Sequence, residues 1–287
     1  MSTGLPNGVG AGVRRWLRPL GDWVDLQLSL ILSSLRRVAP QARGRLLDVG
    51  CGEKPYEAIF RPYVSEYIGV EHRETFELTA ASESAVATAS GKRGPDVLYS
   101  GDRLPFPDKS FDTVLSVQVL EHTPRPLQLM LEMSRVLADD GILILLAPFQ
   151  FRLHEQPHDY FRYSSHGLRQ LCSEAGLTLT HVEQQGSLWS VLGHKLNSYL
   201  AFRVGLMEGL AQNMGKLGHE QAVRARPRYW TFPIIGPSMV AISLGARVLD
   251  RVLFEPDETL GFLIVARRAV GSASSSGVPV SHARGMT

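Results

Sequence analysis

Residues 44–52, Gly-Arg-Leu-Leu-Asp-Val-Gly-Cys-Gly, break a strand-forming run into a glycine turn with a carboxylate, Asp48, just ahead of it. Gly50 and Gly52 let the backbone turn sharply and bring its amides, that of Cys51 among them, against a ligand, as in dinucleotide-binding loops. Asp48 changes the ligand such a turn can take. At a strand tip a carboxylate repels a pyrophosphate and suits a nucleoside bearing an ammonium and a sulfonium, the charge pattern of S-adenosylmethionine. The third glycine of a G-x-G-x-x-G turn is also missing: position 55 is Pro55, whose ring removes an amide that would meet a phosphate.

Further along, Glu71 ends a second strand about 20 residues after the turn, where a carboxylate can accept both hydroxyls of a ribose. The alternative is a solvated acid at a strand end. His122 follows a fourth strand, at the edge where ligands bind in open sheets, and is either a general base or a histidine hydrogen-bonded within its loop. A dense polar and aromatic run, His154-Glu155-Gln156-Pro157-His158-Asp159-Tyr160-Phe161-Arg162-Tyr163, follows the fifth strand and opens onto the same edge. His154, His158 and Asp159 have a spacing that suits metal ligands on one helical face, but Pro157 argues against an uninterrupted helix, so no metal is expected there. Cys51 has no partner base in view and is not expected to act as a nucleophile.

The elements that must position these groups follow from periodicity. Trp23, Leu26, Leu30 and Leu35 lie near helical spacing between Asp22 and Val38, and Arg36 and Arg37 complement a helix C-terminus, so a covering helix is expected over 22–38. Strand-like and helix-like runs then alternate: strands at Arg45–Val49, Tyr67–Glu71, Asp96–Ser100, Asp112–Val117 and Gly141–Ala147, and helices from Pro55 and over Pro126–Ala138. Alternation of this kind predicts a parallel sheet covered on both faces. Gly141 after Asp139-Asp140 reads as a helix stop, and a helix over Ser164–Ala175 stopped by Gly176 precedes a strand at Leu177–Val182. Residues 187–257 break the rhythm before a last strand at 260–266. They form an insertion expected to overhang the ligand edge as a lid or substrate-recognition element, with Trp189, Trp230 and the apolar residues 234–249 either gripping a hydrophobic substrate or packing on their own domain. Thr79–Gly94 reads as a surface helix or loop, and 1–12 and 270–287 as disordered tails around a domain at 13–269.

Taken together the chain resembles a class I S-adenosylmethionine-dependent methyltransferase, of the small-molecule subgroup that includes ubiquinone/menaquinone-type C-methyltransferases. The resemblance covers about residues 44–183 and rests on Leu-Asp-Val-Gly-Cys-Gly at 47–52, Gly-Val-Glu at 69–71, Gly-Asp-Arg-Leu-Pro-Phe at 101–106, Ser-Phe-Asp at 110–112 and Val-Leu-Glu-His at 119–122. It implies a Rossmann-like α/β fold, a mostly parallel seven-stranded sheet with helices on both faces and a C-terminal insertion. It implies that Asp102 accepts the adenine amino group while the Arg103 or Leu104 amide meets a ring nitrogen, the alternative being that Asp102 is a turn former. It implies that Ser116, Val117 and Gln118 line the pocket beside the methionine part of the cofactor, with Gln118 the polar contact. Lys54 departs from the family, where many members carry glycine; its side chain either covers the cofactor or points to solvent. In similar methyltransferases a run like that at 154–163 faces substrate, which implies His154 or His158 as base, Arg162 as anion holder, Tyr160 as stacking surface, and Asp159 and Tyr163 beside them. The plainer alternative is a structural loop in which Asp159 and Arg162 pair with each other.

Composition narrows the partners. At 287 residues and 44% hydrophobic the chain can bury a sizeable core. Thirty basic against 28 acidic residues give a net charge of +2 with no basic block, so nucleic acid is not expected as a partner. Two cysteines, Cys51 and Cys172, give no disulfide framework and fit a cytoplasmic setting, and no export signal opens the chain. The apolar stretches Leu26–Leu35 and Ile234–Leu249 fall short of a spanning helix, which leaves membrane-surface contact open and excludes insertion. The expected function is methyl transfer from S-adenosylmethionine to a small-molecule acceptor, an oxygen on a sugar, lipid or polyketide-like scaffold. The rival readings are an NAD-dependent oxidoreductase and a non-catalytic S-adenosylmethionine-binding scaffold.

Overall fold

The computed structural model describes residues 25–77, 94–203 and 232–268. The tails, residues 79–93, Asp22, Trp23 and Trp230 lie outside these segments, so the expectations placed on them go no further. Helix α1 (Leu26–Val38) starts where the Asp25 side chain caps the Leu28 amide at 3.1 Å, and it buries Leu26, Ile31, Leu35 and Val38. Strand β1 (Arg45–Val49) leads through the glycine turn to a single helical turn, α2 (Glu57–Phe60), and then β2 (Glu66–His72), β3 (Val97–Tyr99) and β4 (Phe111–Val117). Helix α3 (Pro126–Val136) runs directly into β5 (Leu137–Pro148); α4 (Ser165–Glu174), capped by Ser164 and stopped at Gly176 with φ +70°, precedes β6 (Leu177–Gln184). Two helices, α5 (Leu188–Arg203) and α6 (Phe232–Val252), make up the described part of the insertion, and β7 (Gly261–Arg268) follows.

The seven strands form one sheet in the order β3-β2-β1-β4-β5-β7-β6. β7 alone runs against its neighbours, antiparallel to both β5 and β6, so the sheet is mixed rather than wholly parallel. Alternate residues feed two cores. Leu47, Val49, Val114, Leu143 and Leu145 meet Met130, Met133 and Leu168 from α3 and α4, while Leu46, Leu115, Ile142, Ile144 and Leu146 meet Ile31 and Leu35 from α1. Burial on both faces is why β5 reads Ile-Leu-Ile-Leu-Leu without alternation, and each such side chain stabilises the fold by about 1.5–3 kcal/mol.

One expected boundary is corrected. β5 begins at Leu137, four residues before Gly141, and Gly141 stops no helix: the register slips between Leu137 and Ile142 opposite Phe111 and Thr113, forming a bulge. A Cβ at Gly141 would sit 2.7 Å from the Leu137 side chain and 3.0 Å from the Asp112 carbonyl, which explains the glycine there.

The strand order reverses between β1 and β4, and the crevice beyond such a switch point is where open sheets bind ligands. The ends of both strands converge on it. A Cβ at Gly50, where φ is +72°, would fall 2.3 Å from the Val119 side chain, so only glycine lets the two loops close together. α5 and α6 cross closely: at Gly193 a Cβ would lie 2.8 Å from Ala246 and from Leu26 of α1. The insertion also reaches the loop after β5, through Lys195 to Gln150 at 3.1 Å and His194 against Phe151 with ring centres 5.2 Å apart. Arg37, besides ending α1, reaches Glu183 on β6, which also takes the Ser34 hydroxyl.

Candidate active site

Three acids stand at successive strand ends: Asp48 and Glu71 are the last residues but one of β1 and β2, and Asp102 follows β3. Asp48, on the α1 side of β1, is 2% exposed and accepts the Tyr67 hydroxyl at 2.6 Å. Burial pushes its carboxyl up to about 7, with Glu71 adding to the rise and the Tyr67 hydrogen bond and Lys54 opposing it. Glu71 receives the Gly52 amide at 2.9 Å and the His72 amide at 3.0 Å, one on each oxygen, and burial again raises its pKa. A carboxylate oxygen has a second lone pair, so both oxygens remain able to accept hydroxyls. Asp102 is half exposed and bound by Arg125 at 2.5 Å.

The glycine turn between these acids is left open. Gly52 has φ +49° and nothing within 4 Å of where a Cβ would stand. Cys51 is buried and its thiol is pushed up by burial, with Asp48 and Glu71 contributing, which keeps it protonated and unreactive. Lys54 neither covers the crevice nor points to water: its side chain is 5% exposed, lies against Gly69 and pairs with Asp96 at 2.5 Å, and Asp96 in turn accepts the Gly69 amide at 2.7 Å. Only short α2 follows the turn, so no long helix presents its N-terminus to a pyrophosphate, which removes the structural basis of the dinucleotide reading.

Of the two amides expected to meet a ring nitrogen, that of Leu104 is already committed to Glu132 on α3, at 2.9 Å, with Arg135 holding both Glu132 and the Leu104 carbonyl. The Arg103 amide is the one left for that role. At the end of β4, Gln118 adopts φ +57°; its side-chain oxygen takes the Gln27 amide at 3.3 Å, while its own side-chain nitrogen is buried without a partner, as is the Ser116 hydroxyl. Buried donors left in this state mark a place where a polar ligand group completes the pairing.

The His-rich loop folds back onto the turn after β4. The Glu121 carbonyl accepts the Tyr160 amide at 2.9 Å and the Phe161 amide at 3.3 Å, and Tyr163, 7% exposed, gives its hydroxyl to the Leu120 carbonyl at 3.1 Å. Tyr163 is therefore a core anchor that stands apart from the crevice. Asp159 takes both arms of Arg162, at 2.6 and 2.8 Å, together with the His154 amide at 2.9 Å, which is the structural pairing weighed above. Arg162 holds Asp159 near pKa 2 despite burial. Tyr160 is exposed, with its hydroxyl 3.1 Å from His158 Nδ1.

His122 and His154 meet: their Nε2 atoms are 3.1 Å apart, and burial, with His122 next, pulls His154 down to about 4. Glu121, which the sequence reading passed over although it precedes His122, is fully buried beside them, and burial pushes it up to about 8. Its signal was available in sequence as an acid inside Val-Leu-Glu-His where apolar neighbours predict burial.

Residues 47–145 match the family model described as a methyltransferase domain. An uncharacterized methyltransferase of Mycobacterium leprae is 40% identical over 116 residues, 39% of this chain and 41% of the relative. One from Mycobacterium avium is 42% identical over 114 residues, 38% of this chain and 43% of the relative. The chain thus spans about two fifths of the length of these curated relatives. Among solved structures, an S-adenosylmethionine dependent methyltransferase from Mesorhizobium loti aligns with 82% of this chain and 96% of its own, at 15% identity and a TM-score of 0.43. The stretch 47–145 is thus similar to methyltransferase domains.

Proposed function

Taking a methyltransferase domain as the premise, we propose that the chain transfers a methyl group from S-adenosylmethionine to a small-molecule acceptor, an oxygen on a sugar, lipid or polyketide-like scaffold. One observation carries the donor assignment: Asp48 and Glu71, in the last two residues of β1 and β2, and Asp102, just after β3, stand around an open glycine turn. When bound, S-adenosylmethionine supplies a methyl on cationic sulfur, which passes to the acceptor's nucleophilic atom and leaves a neutral thioether. Asp48 faces the cationic end of the ligand, Glu71 takes the ribose hydroxyls, Asp102 and the Arg103 amide take the adenine edge, and the side-chain nitrogen of Gln118 meets the carboxylate. Alignment of methyl and nucleophile supplies most of the acceleration in this chemistry. Tyr160 and the helix pair α5/α6 border the acceptor's side, and His158 takes the proton when the acceptor is a hydroxyl, because His154 is too weak a base and His122 is turned toward it. Two buried free cysteines suit a cytoplasmic setting. Among the described residues no helix is long and apolar enough to cross a membrane.

Calorimetric titration with S-adenosylmethionine and with its demethylated product tests the reading. Saturable heat with both is expected; no heat at concentrations far above the micromolar range overturns it, and displacement by NAD would restore the oxidoreductase. Product search by mass spectrometry, for a metabolite gaining one methyl in an enzyme-dependent way, identifies the acceptor, and failure of any extract to yield one would favour the scaffold.

Asp48 adds a pH signature. Its folded pKa is raised, so the folded protein holds a proton that the unfolded chain has lost, and this share of stability is full below about pH 4 and lost as pH rises through about 7. The melting temperature of the ligand-free protein is expected to fall between pH 5 and pH 8, and Asp48→Asn to flatten that slope. A cation bound beside Asp48 reverses the preference, so titrations near pH 6.5 in buffers of different ionisation enthalpy should reveal proton release in the wild type and much less in Asp48→Asn. Equal release in both would remove Asp48 from the ligand.

A further inference from the structure

We propose that Glu121, His122 and His154 bind a divalent cation of zinc's class, at the seam between the turn after β4 and the loop after β5. One ligand atom from each residue lies within 4.8 Å of the others; the two Nε2 atoms are 3.1 Å apart, and a Glu121 carboxylate oxygen is 3.8 Å from that of His122. Each histidine has its other nitrogen engaged. His122 Nδ1 sits 2.7 Å from the His158 carbonyl, an acceptor only, so it carries the proton and leaves Nε2 bare. His154 Nδ1 sits 3.2 Å from the Arg152 carbonyl and 3.4 Å from Asp159, and the same reasoning leaves its Nε2 bare.

Two lone pairs then face each other at 3.1 Å, an arrangement that repels unless something electropositive lies against both. Two nitrogens on one tetrahedral zinc, each at about 2.0–2.1 Å, stand about 3.3 Å apart, close to the spacing found. The third group points the same way. Glu121 is fully buried, neither of its oxygens has a hydrogen-bond partner, and one lies 3.8 Å from His122 Nε2. A buried carboxylate without partners is a cost that a cation removes. Glu155, half exposed with an oxygen 3.5 Å from His122 Nε2, supplies a fourth ligand from the solvent side.

The surroundings are those of a metal centre. Carbonyl and carboxylate partners fix both imidazole tautomers, as outer-shell groups do for ligating histidines. The same loop is held in place by the Asp159–Arg162 pair and by the two amides on the Glu121 carbonyl. Two imidazoles and a carboxylate suit zinc or a neighbouring first-row metal better than magnesium or calcium, which prefer all-oxygen sites. The ligand set differs from the His154, His158 and Asp159 group considered in sequence: Asp159 belongs to Arg162, and His158 turns to Tyr160.

The full-length chain, stripped with chelator, is titrated with Zn²⁺ by calorimetry and with Co²⁺ by visible absorption, both without methyl donor, so the outcome is independent of the methyl-transfer reading. One equivalent of Zn²⁺, a raised melting temperature, and strong visible cobalt bands typical of four-coordination are expected. Glu121→Gln and His154→Ala are each expected to weaken Zn²⁺ affinity at least about 100-fold, while His166→Ala and His181→Ala, histidines outside the cluster, leave it unchanged. Absence of a one-equivalent site in the wild type, or affinity in Glu121→Gln and His154→Ala within threefold of wild type, overturns the proposal. Should either variant fold poorly, the cobalt spectrum of the wild type decides alone: only weak octahedral bands would count against it.

Discussion

Glu71→Ala is expected to abolish measurable S-adenosylmethionine binding. Glu71 is placed to accept two ribose hydroxyls, and charge-assisted hydrogen bonds contribute about 1.5–3 kcal/mol each, so their loss lowers affinity by roughly 10²–10⁴. Its effect on folding should be far smaller. The substitution frees the Gly52 and His72 amides, but it also removes a carboxylate whose burial is unfavourable. The expected stability change is therefore within about 1 kcal/mol. Glu71→Gln, which keeps one acceptor oxygen, should fall between. Calorimetry for the ligand and thermal melts for the fold separate the two effects, and an affinity within threefold of wild type in Glu71→Ala would defeat the ribose assignment.

Arg162→Met is expected to produce the largest loss of stability among single changes at this edge. It strands the Asp159 carboxylate, only 2% exposed, with the His154 amide and ring Nδ1 as its remaining partners. Breaking a buried pair by removing one member typically costs about 3–5 kcal/mol, and the retained amide places this case near the lower figure. Because the loss comes from the stranded charge, the double variant Asp159→Asn/Arg162→Met should recover part of it, a coupling that denaturant titration of all four proteins measures. Additive losses would mean that the pair does not hold the loop.

How legible the molecule was in sequence depends on how local the cause is. β1, the glycine turn and Glu71 could be placed because an apolar run, two glycines and an acid at a fixed interval report on one strand end and its neighbour. α4 could be placed from its Gly176 stop, and the structure adds the Ser164 cap. The start of β5 could not, since Asp-Asp-Gly after a helix reads as a stop, and only the folded approach of the Leu137 side chain and the Asp112 carbonyl gives Gly141 its reason. Lys54 reached Asp96, the Leu104 amide reached Glu132, and Asp102 reached Arg125, each partner coming from a part of the chain that no local pattern connects. The run at 154–163 stands out in sequence by its composition, but its periodicity does not say which way a side chain turns: Tyr163 goes into the core, Tyr160 outward. Meeting of His122 with His154 across 32 residues is likewise a property of the folded loop.

Among the described residues β7 is the last strand in sequence, yet it sits between β5 and β6 and is the only strand there that β6 pairs with. As the chain leaves the ribosome, β5 offers an unpaired edge and β6 has no strand to hydrogen-bond with until residues 261–268 emerge and slot between them. For that interval the nascent protein displays apolar edges of the kind that template pairing between molecules. Messages cut short before codon 261 should therefore yield insoluble product or chaperone clients, while those extending past codon 268 can close the sheet.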